Sequence, residues 1–191
     1  MTPLERAAAW LEEARRAQPE KEPDAMALAT VGAEGAPSVR FVLCRGIDKR
    51  GLRFFTNYES RKSLELAANA RAAVVFHWHS LGRQLRLEGA VERLPPAESD
   101  AYFAGRPRGH QLSALASPQS RPIGGLDELR QRVTELDRQY AGRDVPRPAS
   151  WGGYRLVPTV VELWTRGADR MHERIRFELR GGQWHEARLG P

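Results

Sequence analysis

Two cations stand where an acid would ordinarily be. Ser60 is placed to open a helix over Arg61-Lys62-Ser-Leu-Glu-Leu-Ala-Ala. The first turn of a helix carries the positive end of the macrodipole, which favours Asp or Glu. Arg61 and Lys62 make sense there if an anion sits beside them, held by free backbone N–H groups and both side chains. The competing reading is two exposed cations on a solvated turn. A second basic set is Arg170-Met-His-Glu-Arg174. Read as a strand, it puts Arg170, His172 and Arg174 on one face, where they repel unless something anionic or electron-rich sits opposite. An exposed edge with solvated charges is the alternative. Arg106-Pro-Arg108, just after a helix bearing Tyr102, pairs cations with a hydroxyl or is a plain surface loop.

The elements that must position these residues are mostly short strands. Residues 40–45 and 52–56 are apolar and β-prone, with the turn Asp48-Lys-Arg-Gly51 between them. Residues 25–31, 72–78 and 84–94 read as further strands, the first turning at Gly32-Ala-Glu-Gly35 and the last alternating apolar with polar. Five strands at this spacing suggest an antiparallel barrel. Residues 3–17 form an amphipathic helix with Leu4, Ala7, Ala8, Leu11 and Ala14 on one face, and residues 18–24 a linker. Residues 1–24 thus precede one domain over 25–191. Helices are expected at 61–69, from Pro95-Pro96 to Gly105, at 110–116 and at 126–140, the last with the stripe Leu126, Leu129, Val133 and Leu136. After a linker at 145–148, strands are expected at 153–157, 160–165, 171–179 and 184–189, with a Gly181-Gly182 hairpin turn. The aromatic residues Phe54, Phe55, Trp78, Trp151 and Trp164 read as core.

Composition narrows the function. The 191 residues suit one domain with a sizeable core, and 41% hydrophobic with 28% charged content is ordinary for a globular chain. No apolar run approaches the roughly 20 residues of a membrane span, and the N-terminus lacks the apolar core of a secretory signal. Cys44 is the only cysteine, which excludes an intramolecular disulfide and fits a reducing cytoplasm. The net charge of +6 is dispersed among acids rather than packed into a basic block, so small phosphorylated ligands explain it better than nucleic acid. No dinucleotide-binding glycine motif, Walker loop or G-x-S-x-G is present. His77 and His79 flank Trp78 without an identifiable third ligand, so no metal is expected.

The segments RFVLCR, FFTNYESRK, RQLRLEGAVERL, ESDAYFAGRPR, ASPQS, WGGYR, ELW and RMHER to RLGP follow one another along the chain. In that order and spacing, residues 26–191 resemble the pyridoxamine/pyridoxine 5′-phosphate oxidases, flavoproteins of the FMN-binding split-barrel fold. The resemblance implies a mainly β protein with peripheral helices, an antiparallel split β-barrel that forms a homodimer with FMN at the subunit interface. It places Arg40, Phe41, Val42, Leu43, Cys44 and Arg45 along the flavin with Phe55 and Thr56 beside it. It gives the FMN phosphate to Arg61 and Lys62, and completes the flavin site with Gln84, Gln119, Ser120, Trp164 and Arg174. The substrate phosphate would fall to Arg45, Tyr102, Arg106 and His110. Arg170, Met171 and His172 would meet the pyridine ring, with Arg170 and His172 as the catalytic pair. The implied reaction oxidises pyridoxine or pyridoxamine 5′-phosphate to pyridoxal 5′-phosphate, with O2 as acceptor and H2O2 as product.

Three departures from the family pattern bear on this. Position 45 is usually Lys and here is Arg, a wider head group that can still meet phosphate bidentately. Position 110 is usually a small hydroxyl residue and here is His. Longer relatives carry residues before the first helix that close over the substrate, and the expectation for this chain is that those contacts are missing. Two other readings follow: the same fold and flavin with another substrate, as in the related flavoenzymes of phenazine biosynthesis, or a non-catalytic binding module for pyridoxal phosphate, flavin or nucleic acid.

Overall fold

Six strands close on themselves. The computed structural model describes residues 1–17 and 21–191. In it β1 (Ala25–Val31), β2 (Pro37–Asp48), β3 (Gly51–Asn57), β4 (Arg71–Trp78), β5 (Arg83–Arg93) and β6 (Trp151–Thr165) pair in the order β3-β2-β1-β4-β5-β6. A further β3–β6 pairing joins the two ends, and every pairing is antiparallel. The local cause is period-two alternation: Ala72, Val74, Phe76 and Trp78 of β4 face inward, as do Met26, Leu28 and Thr30 of β1.

β6 corrects the expectation of two strands at 153–157 and 160–165. It runs unbroken through Pro158, because Gly89 pairs with Pro158 while Glu88 pairs with Val160, leaving Thr159 as an extra residue in a bulge. Its first part, to Leu156, pairs with β3 and closes the barrel. Its last part, from Val160 to Thr165, pairs instead with β7 (Glu173–Arg180), which continues into β8 (Gln183–Arg188). Gly181 and Gly182 both take positive φ, 57° and 79°, as a tight two-residue hairpin turn requires.

The helices sit outside this wall. α1 (Pro3–Arg16) opens with a capping box between Thr2 and Glu5, and buries Leu4, Ala7, Leu11 and Ala14 in the main barrel core, with Ala8 only half-buried. The expected linker at 18–24 falls partly outside the described residues, which omit 18–20. Beyond that gap Pro23 accepts a hydrogen bond from Trp78 Nε1 at 2.9 Å. α2 (Arg61–Ala68) and α3 (Pro96–Ala104) follow expectation closely, while α4 (Arg108–Ala116) starts two residues before His110. α5 (Leu126–Gln139) has no buried residue. Only Val133 and Leu136 of its stripe reach the second core cluster of Phe103, Leu112, Val145 and Trp151, and Leu126 stays exposed. Among the described residues no helix is long and apolar enough to cross a membrane.

Because Leu11 is 1% exposed within the barrel core, Leu11→Ala should cost about 2–5 kcal/mol of stability. Denaturant unfolding measures it, and a loss below about 1 kcal/mol would show that α1 is not part of the cooperative core.

Candidate active site

A cavity of about 830 Å³ opens between the outer face of β2, the end of β3 and the α3–α4 corner. β2 supplies Arg40, Phe41, Val42, Leu43 and Arg45, with Phe55 and Thr56 from β3 and Lys62 from α2. Across from them lie Tyr102, Arg106 and His110, with Gln119 and Trp151 completing the wall. Among the described residues no Asp or Glu lines it. Three arginines, a lysine and an imidazole therefore line this space, which favours anionic occupants.

Lys62 marks one end. The residue is 8% exposed, and its ammonium donates to Thr56 Oγ1 at 3.0 Å, Ser60 Oγ at 3.0 Å and Gln119 Oε1 at 3.1 Å, all neutral oxygens. Burial pulls its pKa down to about 8, and Arg40 pulls the same way. Ser60 holds the expected cap position, but its side chain does not cap the helix. The hydroxyl donates to the Asn57 carbonyl and accepts from Lys62 instead, which leaves the first-turn N–H groups without a side-chain acceptor. Arg61 points elsewhere. It is exposed and donates from Nε to Glu65 Oε1 at 2.8 Å. Glu65 also accepts from Thr30 and Ser38, both at 2.6 Å, and from Arg40 at 3.1 Å. Against the cost of burial, those hydrogen bonds bring its pKa down to about 2, so it is a fixed anion that anchors Arg40 and Arg61.

Arg106 marks the other end. Its guanidinium lies 4.6 Å above the Trp151 ring, and its Nη1 is buried without a hydrogen-bond partner. Burial moves its pKa below the usual guanidinium range, Tyr102 opposing and Arg45 assisting. Tyr102 stacks on Phe55 at 3.9 Å between centroids, and Phe55 stacks on Trp151 at 5.6 Å, so an aromatic wall separates the two cationic ends. Arg108 does not join Arg106. It donates to Asp137 at 2.8 Å and to the carbonyls of Tyr140 and Arg143, which ties α4 to the end of α5.

A second group of the expected residues lies at the far end of β6. Gln84, Trp164 and Arg174 are successive partners across β5, β6 and β7. His172 lies 4.6 Å from Trp164 between ring centroids. Arg174 donates to Glu162 at 3.0 Å from both Nε and Nη2, and to the Gly190 carbonyl at 3.0 Å. The expected strand 170–174 is corrected here. Pairing of β6 with β7 stops at Thr165 and Glu173, so residues 166–172 form a loop containing a 3-10 turn, with Asp169 and Arg170 at φ 49° and 62°. Arg170, His172 and Arg174 are therefore not one strand row. Within the loop, Gly167 N–H donates to His172 Nδ1 at 3.3 Å, so the neutral ring carries its proton on Nε2. Met171 is exposed.

The cavity thus brings together Arg40, Phe41, Val42, Leu43, Arg45, Phe55, Thr56, Lys62, Tyr102, Arg106, His110 and Gln119. It excludes Cys44, which faces the barrel core with its thiol pushed up by burial to about 12. Arg61, Ser120, Gln84, Trp164, Arg170, Met171, His172 and Arg174 also lie outside its lining. Trp151, read from sequence as core, is part of the second core cluster and also lines the cavity wall. Glu65 was missed as well, although its place four residues after Arg61 was a visible signal.

Fold and cavity define a split-barrel protein with a cavity lined by cations and aromatic rings. Residues 11–140 match the family model described as pyridoxamine 5′-phosphate oxidase. Residues 151–191 match the pyridoxine 5′-phosphate oxidase C-terminal dimerisation region. A pyridoxine/pyridoxamine 5′-phosphate oxidase of Cupriavidus necator is 54% identical over 190 residues, 99% of this chain and 89% of that protein. One of Synechocystis is 48% identical over 182 residues, 95% and 85% of the two chains. The crystal structure of PhzG from Burkholderia lata, in complex with tetrahydrophenazine-1-carboxylic acid, aligns with TM-score 0.93 at 34% identity over 99% of this chain and 92% of that one. The chain belongs to the pyridoxamine 5′-phosphate oxidase family.

Lys62 sets a pH test. Its pKa is about 8 when folded against an ordinary 10.5, so between those values the unfolded chain binds the proton more tightly and stability rises with pH. Below about pH 8 the buried charge is a standing penalty. Lys62→Met should stabilise the ligand-free protein at pH 7 and flatten that rise. Urea unfolding at several pH values reads both effects, and superimposable curves for the two proteins would contradict the assignment.

Proposed function

We propose that this chain is an FMN-dependent oxidase that converts pyridoxine or pyridoxamine 5′-phosphate to pyridoxal 5′-phosphate. The observation that carries the reading is the acid-free cavity with two cationic ends. One end offers Lys62 and an uncapped helix start, the other an unpartnered Arg106 donor beside Tyr102. Two phosphorylated ligands lying together match that charge pattern. FMN suits the Lys62 end, where an anion would relieve an ammonium now held only by neutral oxygens, with Thr56, Gln119 and Ser120 nearby in the fold or chain. Arg61 would join it by leaving Glu65. The substrate phosphate suits Arg106, Tyr102, Arg45 and His110.

The flavin, when bound, supplies a two-electron acceptor that dioxygen regenerates with release of H2O2. The chain's own residues bind and orient. Arg106 and Tyr102 hold the phosphate end, and the Phe55–Tyr102–Trp151 wall excludes water. His172, with its proton on Nε2, offers a donor to the pyridine ring, and Arg170 beside it adds a cation. With the amine substrate, hydrolysis of the oxidised C4′–N bond releases ammonia.

Both groups of residues are needed at one site. Trp151 and Trp164 occupy opposite ends of β6, on the order of 40 Å apart along the strand at about 3.3 Å per residue. A homodimer solves this by bringing the His172 and Arg174 end of one copy to the cavity of another. The dimerisation-region match and the exposed apolar strip of Val39, Phe41 and Leu43 beside the cavity support it. A cytoplasmic setting belongs to the same proposal and rests on the single cysteine.

The test is an absorption spectrum of FMN-loaded protein before and after anaerobic pyridoxine 5′-phosphate. Bleaching, with peroxide on readmitting air, is expected, and no response to either vitamin phosphate would sink the reading. Flavin reduced by a tetrahydrophenazine carboxylic acid, with the vitamin phosphates inert, would select the second reading that the likeness to PhzG motivates. Arg106→Ala should raise KM for the phosphate substrate about 10- to 100-fold, the worth of a lost charge-assisted hydrogen bond. An unchanged KM would remove Arg106 from the site.

A further inference from the structure

Glu162 is the only buried carboxylate among the described residues, 2% exposed near the C-terminal end of β6. Three guanidinium groups converge on it. Arg174 meets Oε1 at 3.0 Å from both Nε and Nη2, Arg86 meets Oε2 at 3.3 Å, and Arg176 approaches Oε2 at 3.9 Å. Arg86 and Arg176 are its partners on the neighbouring strands. A buried acid is costly unless its charge is matched and its oxygens are hydrogen-bonded, so one or two arginines would be enough to explain Glu162 as a packing solution.

The three arginines differ in what else they hold. Arg86 also pairs with Glu88 at 2.8 Å, and Arg176 with Glu178 at 2.9 Å. Among the described residues Arg174 has no acid except Glu162, and its remaining bond is to the Gly190 carbonyl. Of the five N–H groups of a guanidinium, Glu162 takes two and Gly190 one. The other two stay free on a side chain 28% exposed, at the Gln84–Trp164–Arg174 row.

We infer that Glu162 is a positioning residue, which holds the Arg174 guanidinium so that its two free donors meet an electron-rich group of the flavin. The inference rests on the function proposed above. Its side-on grip sets the plane of the guanidinium as a single long-range charge could not. Loss of that grip leaves Arg174 among two like charges, so the guanidinium turns to solvent and its donors leave the row.

The experiment measures FMN affinity of the full-length apoprotein by quenching of flavin fluorescence, in wild type, Glu162→Gln, Arg174→Gln and the double variant. Glu162→Gln should weaken FMN binding about tenfold, in the range that loss of an orienting partner costs at a bound cofactor. In the Arg174→Gln background the same change should cost nothing further. Equal losses in both backgrounds, or none in either, would overturn the inference and leave Glu162 a purely structural acid. A crystal structure of the Glu162→Gln apoprotein gives a readout that does not need FMN. A displaced Arg174 supports the inference, and an unmoved one overturns it. Should wild type bind no FMN, the proposed function falls by that result, while the crystal structure still decides what Glu162 does to Arg174. If Glu162→Gln does not fold, Glu162→Asp, which keeps the charge and withdraws it by one methylene, is measured in the same way.

Discussion

The pairing of β3 with the first part of β6 is the constraint on which the rest depends. It closes the barrel by setting Thr56 opposite Gly152 and Phe55 opposite Gly153. Both glycines are required by close approach: a Cβ at 152 would lie 2.2 Å from the Tyr58 hydroxyl, and one at 153 would lie 2.7 Å from Phe55. With no side chains there, Phe55 lies beside β6 and stacks with both Tyr102 and Trp151. The same closure brings Thr56 to Lys62 and Gln119. The cavity is thus a by-product of how the barrel is sealed.

Charge is distributed unevenly around that seam. Most arginines outside the cavity have acids, and the hub at Glu65 ties Arg40 and Arg61 to β1 and α2. Lys62 and Arg106 have no acid partner among the described residues, and burial opposes the charge on each. Cations held this way destabilise an empty protein and bind anions well, since the cost of desolvation has been met by folding. The far end of β6 follows the opposite logic, with one buried acid shared by three arginines.

Much of the fold was legible because its causes are local. Alternation along β4 and β5, the turn at Gly32–Gly35, the paired glycines at 181 and 182 and the apolar face of α1 act within a few residues, and their elements stand where expected. Of the site, Arg61-Lys62 was visible as a breach of the helix-dipole rule, yet their division of labour was not. Glu65 claims Arg61 and the neutral pocket claims Lys62, which depends on β1, β2 and Gln119 arriving from elsewhere in the chain. Pro158 read as a strand end because a proline lacks an N–H, and only the bulge opposite Gly89 lets β6 pass through it.

The amino-acid order by itself determined most of the strands, the starts of α2 and α3 and the presence of three basic clusters, since period, capping and residue charge need no partner. Tertiary structure decided which cations share a space. Arg106 turned toward the cavity and Arg108 away from it, because Asp137 and the carbonyls just after α5 lie on the other side. Arg170 and His172 left the strand because β7 has no partner residue on β6 beyond Thr165. The distance between the two ends of β6 is likewise a property of the closed barrel. It is why the residues that read as one site in sequence occupy two places in a single chain.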